Sequence, residues 1–114
     1  MTSAADLDAH LQDLRRGSVV LACLLALQEP GHGYRLLDVL AEAGVPVPAN
    51  TLYPLLRRLE AQGLLTSAWD TSQARPRKLY RTSRDGIRLA RTLRLEWDAL
   101  GRALTALEPE GLRA

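Results

Sequence analysis

A mostly α fold with one small β-hairpin is predicted for this chain by three features of its sequence. Apolar residues recur at helical spacing in four segments. Between the third and the fourth lie two alternating stretches, "LLTSAWD" and "PRKLYRT", joined by the turn-forming "TSQAR". Pro30-Gly31, Gly44, Gly63 and Glu108-Pro109 punctuate the helical segments.

The first helix is expected over residues 5–29. Leu7, Leu11 and Leu14 share a face, and Val20 to Leu27 is apolar nearly all round, as a buried helix requires. The second runs over residues 33–43, with Leu36, Leu37 and Leu40 inward and Gly44 as its terminator. "VPVP" follows as a stiff connector, since neither proline continues a helix.

The third helix lies in "PANTLYPLLRRLEAQGLL", where Leu52, Leu55, Leu56 and Leu59 face inward. Pro54 is the puzzle in it. With Asn50 or Thr51 as N-cap, Pro54 falls at or beside the last position whose N–H has no intrahelical partner. A kink in a longer helix is the competing reading. Either way Asn50, Thr51 and Tyr53 are grouped. After the hairpin, Ser83 caps a fourth helix with Asp85 in its first turn, running to about Leu107.

Length and composition bound what such a chain does. Its 114 residues suffice for one compact domain, and 46% hydrophobic with 25% charged residues is an ordinary globular balance. One cysteine, Cys23, makes neither a disulfide framework nor a thiolate zinc site, so a reducing cytoplasm is the expected location. "VVLACLLAL" is too short to span a bilayer. The formal net charge of +2 decides nothing, but its distribution does. From Arg75 to Arg94 eight basic residues face one acid, Asp85. Such a zone suits phosphate, although a charge run is more often a solvated face.

Three helices followed by a hairpin is the order of a winged helix-turn-helix, here with a long C-terminal helix. Residues 1–82 are expected to form that DNA-binding unit, and residues 83–114 a dimerisation helix with a short tail. Leu93, Trp97, Leu100, Leu104 and Leu107 stand at spacings of four and three, a coiled-coil seam for a twin subunit. Folding of this helix back on the first helix of its own chain is the alternative.

"RRGSVVLACLLAL", "HGYRLLDVL", "NTLYPLLRRLEAQGLL", "RPRKLYRTSRDG" and "EWDAL" together make the chain resemble the PadR family of bacterial transcriptional regulators, in the compact branch with a single terminal helix. The resemblance implies a homodimeric DNA-binding repressor with a winged-helix domain and a C-terminal dimerisation helix. Where the family commonly carries glycine before the basic motif, this chain has Ala74, which leaves the turn type of the wing open. In some members a tryptophan in the terminal helix stacks flat aromatic molecules at the dimer interface, and Trp97 is the matching candidate here.

The expected DNA contacts follow from chemistry at these positions. Asn50 and Thr51 offer short polar groups to bases or phosphates, Tyr53 a hydroxyl and an apolar face, and Arg57 a phosphate clamp. Arg75, Arg77 and Lys78 crowd the wing, where arginine suits the minor groove or a forked phosphate contact. Strand alternation sends Arg77 and Lys78 to opposite faces, so one is expected on DNA and the other in solvent. His32 and Tyr34 stand where the second helix would approach a phosphate, with a core role for Tyr34 as the alternative. Two histidines without acids or thiols at ligand spacing make no metal site, and no cofactor is expected. No glycine-rich phosphate loop or nucleophile–base pair argues for an enzyme. A winged-helix module that docks proteins is the second functional reading, which the basic wing disfavours.

Overall fold

Ser3 opens the first helix, its hydroxyl accepting the Asp6 N–H at 3.1 Å. From there the computed structural model describes residues 2–112. The ends of the two expected units, Met1 and residues 113–114, lie outside the described residues. The elements in order are α1 (Ala4–Ala26), β1 (Gly31–His32), α2 (Gly33–Glu42), α3 (Ala49–Ala61), β2 (Leu65–Asp70), β3 (Arg77–Thr82) and α4 (Arg84–Leu107). The strands form one antiparallel sheet in the order β1-β3-β2.

The core is mainly leucine, drawn from every layer. Leu24 and Leu27 at the end of α1, Leu36 and Leu40 of α2, Leu52, Leu56 and Leu59 of α3, and Leu65 of β2 are all buried. Each such side chain contributes about 1.5–3 kcal/mol relative to exposure. Tyr80 of β3 and Ala90 of α4 close the same cluster. The N-terminal half of α1 takes no part in it, and Leu7 and Leu14 are exposed there.

Both helices of the helix-turn-helix end by the same device. Gly44 and Gly63 adopt positive φ (95° and 76°). The residue after each returns its N–H into the helix, Val45 to the Leu40 carbonyl and Leu64 to the Leu59 carbonyl. A side chain at either glycine would strain the turn.

Thr82 and Ser83 then bolt the wing to the helices. The last carbonyls of α1 lack intrahelical donors, and Thr82 supplies two: its hydroxyl to Leu24 O at 2.7 Å and its N–H to Leu27 O at 2.8 Å. The Ser83 hydroxyl caps α4 by accepting the Gly86 N–H, as expected, and donates to Gly63 O at 2.6 Å.

Two expectations change at this level. The N-cap of α3 is Pro48, not Asn50 or Thr51, and the helix begins at Ala49 with Pro54 inside it. Pro48 O accepts from both Thr51 and Leu52, so the stiff connector itself starts the helix. Pro54 therefore falls in the helix proper and withholds the N–H that Asn50 O would have received. The strand β1 was also not anticipated. It adds Gly31 and His32 to the open edge of β3, opposite Tyr80 and Leu79.

The alternative reading of α4, packing back on its own chain, holds for its proximal part alone. Its proximal part packs into the core through Ala90, with Leu89 and Leu93 partly buried beside it. Beyond it Trp97 (51% exposed), Leu100 (58%), Leu104 (49%) and Leu107 (78%) stand clear of the chain.

Candidate nucleic-acid interface

Asn50, Tyr53, Arg57 and Glu60 follow one another on α3 at spacings of three and four, so they share a stripe. The inward leucines fix its direction: burying Leu52, Leu55, Leu56 and Leu59 turns this stripe outward. Asn50 and Thr51 occupy the first turn, exposed, and neither side chain makes a hydrogen bond among the described residues. Tyr53 lies against the start of α2, so close that a Cβ on Gly33 would stand 2.5 Å from its ring. Glycine at position 33 is what lets the two helices meet there.

Glu60 ends the stripe and receives the wing. Its carboxylate accepts the Ser67 hydroxyl of β2 and sits 3.0 Å from Lys78 Nζ of β3. These two donors hold its carboxyl below the ordinary glutamate value, the Ser67 hydrogen bond first and Lys78 second. Lys78 is raised in return, chiefly by its hydrogen bond to Glu60. Its ammonium also lies 5.7 Å from the centre of the Tyr80 ring.

On the opposite face of the sheet, α2 and the wing share a four-residue cluster. His32 directs Nδ1 at Lys78 O and Nε2 at Asp70 Oδ2, each at 3.2 Å. A neutral imidazole has one N–H and donates to only one of these acceptors. The His32 ring stacks on Tyr34 at 5.5 Å with 8° between planes. The Arg77 guanidinium donates to the Tyr34 hydroxyl and lies 4.9 Å from that ring's centre. Hydrogen bonds from Ser72, then the charges of His32 and Arg77, hold Asp70 below the ordinary aspartate value.

The expected site residues thus divide. Asn50, Thr51, Arg57 and Arg75 are exposed, and no acid partners either arginine among the described residues. Tyr53 is exposed at the edge of the same face. His32, Tyr34, Arg77 and Lys78 are engaged within the molecule. Arg77 and Lys78 do point to opposite faces, but neither is simply solvated: one is held by Tyr34 and the other by Glu60. Tyr34 is half-exposed and belongs to no core. Sequence reasoning passed over Glu60, Ser67 and Asp70, the partners of these basic groups. Helical spacing alone places Glu60 on the stripe of Arg57, whereas Asp70 meets His32 only through the register of β1.

At the far end of the molecule Arg94 covers one face of Trp97, its guanidinium 5.3 Å from the ring, and pairs with Asp98 at 3.4 Å. The indole also borders an open recess of about 510 Å³ lined with it by Asp98, Gly101, Arg102 and Thr105. Among the described residues no group of histidine, cysteine and acidic side chains is placed to hold a metal, and no helix is long and apolar enough to cross a membrane.

Comparison with known proteins places this geometry in context. The model of the transcriptional regulator PadR-like family matches residues 20–92. The transcriptional regulator Rv3488 of Mycobacterium tuberculosis is 38% identical over 77 residues, 67% of this chain and 72% of that protein. The crystal structure of a PadR family transcriptional regulator from Eggerthella lenta is 46% identical. It superposes with a TM-score of 0.84, covering 89% of this chain and 90% of that one. Bacillus subtilis PadR in complex with operator DNA shares the fold at 20% identity, with a TM-score of 0.61 over 66% of this chain and 45% of that one.

Proposed function

The chain belongs to the PadR-like family of transcriptional regulators, and on that premise we propose that it is a homodimeric repressor of an inverted-repeat operator. The observation that carries the reading is the exposed polar surface of α3. Asn50, Thr51 and Arg57 are exposed, free of hydrogen-bonding or acidic partners, and flanked by a wing that adds Arg75. The first turns of α3 enter the major groove, and Arg75 at the wing tip reaches the neighbouring backbone or minor groove. The operator complex of Bacillus subtilis PadR supports the same use of the shared fold.

In this reading His32 and Tyr34 act through the wing. They hold Arg77 and the end of β2 at a defined position beside α3, and Tyr34 presents its exposed edge to the phosphates. Lys78 contributes less direct charge to DNA than its position suggests, because Glu60 balances it.

The distal half of α4 supplies the twin. Trp97, Leu100, Leu104 and Leu107 form one exposed stripe, and Leu93 joins it to the core. A second copy covers that stripe and sets two α3 helices roughly 34 Å apart, one turn of the duplex. A flat aromatic effector stacks on the face of Trp97 that Arg94 leaves open and alters the angle between subunits. Repression is by occlusion of a promoter, in the cytoplasm where that promoter lies.

Fluorescence anisotropy with duplex from upstream of the protein's own gene, against a shuffled duplex, tests the reading across a salt series. One dimer per site, preference for the native duplex and a steep salt slope are expected. Absence of binding to either duplex at low salt would transfer the weight to a protein-docking role. Introducing charge at the seam with Leu100→Glu and Leu104→Glu should yield a folded monomer by sedimentation and abolish tight operator binding. A dimer that survives it would remove the seam from the proposal.

A further inference from the structure

Trp69 is the largest exposed apolar group of the wing, at 66% of its surface, and neither its ring nor its N–H has a partner among the described residues. Its direction follows from register. Leu65, Ser67 and Trp69 alternate onto one face of β2, opposite Thr82, Tyr80 and Lys78. Leu65 is buried in the core, and Ser67 reaches Glu60 on α3. The third residue of that row, Trp69, leaves the sheet on the same face as Ser67, the face that meets α3. Of the charges near it, its cross-strand partner Lys78 is paired with Glu60, whereas Arg57, one helical turn before Glu60, has no acidic partner among the described residues.

Resting on the DNA-binding reading, we infer that Trp69 is a further DNA-contacting residue, its indole lying against deoxyribose faces of the backbone between the groove entered by α3 and the groove entered by the wing tip. The strand presents the side chain perpendicular to the sheet, alongside α3, and not from the hairpin tip. It therefore lies along the backbone and does not wedge between base pairs. A sugar–phosphate strand fits what the surface offers: an apolar plate for the sugar and the unpaired Arg57 for a phosphate. An indole releases no counterion, so its share of the affinity is independent of salt, unlike that of an arginine.

That difference makes the inference testable on the whole protein with any duplex bound at low salt. Trp69→Ala should weaken binding about tenfold at every salt concentration, leaving the slope of log K against log salt unchanged. Arg75→Ala should instead reduce that slope by about one. Trp69→Phe, which keeps a ring, should recover most of the loss and guards against a trivial effect of truncation on the wing. In protein grown with 5-fluorotryptophan, the 19F resonance assigned to Trp69 by the Trp69→Phe variant should shift on adding duplex. Wild-type affinity in Trp69→Ala, or a Trp69 resonance unmoved at saturating duplex, would overturn the inference and leave the DNA-binding reading standing. A changed salt slope in Trp69→Ala would also overturn it. If wild type binds no duplex at low salt, the parent reading fails and this one with it.

Discussion

Lys78 of β3 and Glu60 of α3 meet at 3.0 Å, so the wing is tied by charge to the helix it flanks. The contact is only partly shielded from solvent, and its value lies in orientation more than in stability. It also places an acid on the stripe that Arg57 and Asn50 share, where it opposes phosphate.

Glu60→Gln is accordingly expected to change both stability and DNA binding. The Glu60 carboxyl is held below its ordinary 4.5, so its stabilising share is whole above that pH and is lost as pH falls through the folded value. The Lys78 ammonium is raised above its ordinary 10.5, so its share is whole below that pH and is lost only as pH rises through its folded value. Melting temperatures of wild type and Glu60→Gln should differ at neutral pH and converge in acid. Removing the acid should also tighten non-specific duplex binding and steepen its salt slope by up to about one, as Lys78 is released to phosphate. Parallel melting profiles down to acid pH would show that the clamp carries no linkage.

Thr82→Val should destabilise the protein by about 1–3 kcal/mol, since the isosteric side chain leaves Leu24 O without its donor in a buried position. Urea unfolding provides the check. An unchanged midpoint would mean that the end of α1 finds another partner for that carbonyl.

Gly86→Ala and Gly17→Ala are expected to act in opposite directions although both lie within helices. A Cβ at Gly86 would stand 2.2 Å from Leu64 O and 2.7 Å from Thr82 Cγ2, forcing α4 away from the wing. The cost is about 1–3 kcal/mol or more. At Gly17 nothing lies within 4 Å, so alanine should stabilise α1 by up to about 1 kcal/mol. Chemical denaturation of the two variants side by side decides it, and a neutral Gly86→Ala would contradict the close packing of α4 on Leu64.

Cys23 should resist alkylation in the folded protein and react in urea. Burial pushes its thiol from 9.0 up to about 12. Because the folded value is raised, the corresponding stability is whole below 9.0 and is lost as pH rises from there towards about 12. Thiol titration with and without denaturant measures this. Equal rates in both would place Cys23 at the surface.

The inward face of α3, the cap at Ser83 and the hairpin were legible because each depends on residues a few positions apart. Leu52, Leu55, Leu56 and Leu59 declare a buried stripe by spacing alone, and a capping hydroxyl acts within its own turn. The start of α3 was less legible, since Asn50 and Thr51 are better caps than proline on intrinsic grounds. Pro48 takes the position because its carbonyl accepts from both Thr51 and Leu52. The strand β1, with two residues, is too short to show any period.

What the sequence by itself determined is therefore the four helices and the hairpin, their buried faces and the basic character of the wing. Tertiary structure alone decided which of the basic groups remain available. Lys78 finds Glu60 and Arg77 finds Tyr34 only after the hairpin has taken its register and packed between α2 and α3. Those partners lie 18 and 43 positions away in the chain. Local periodicity carries no information over such distances, because the pairing is set by how the sheet seats on the helices.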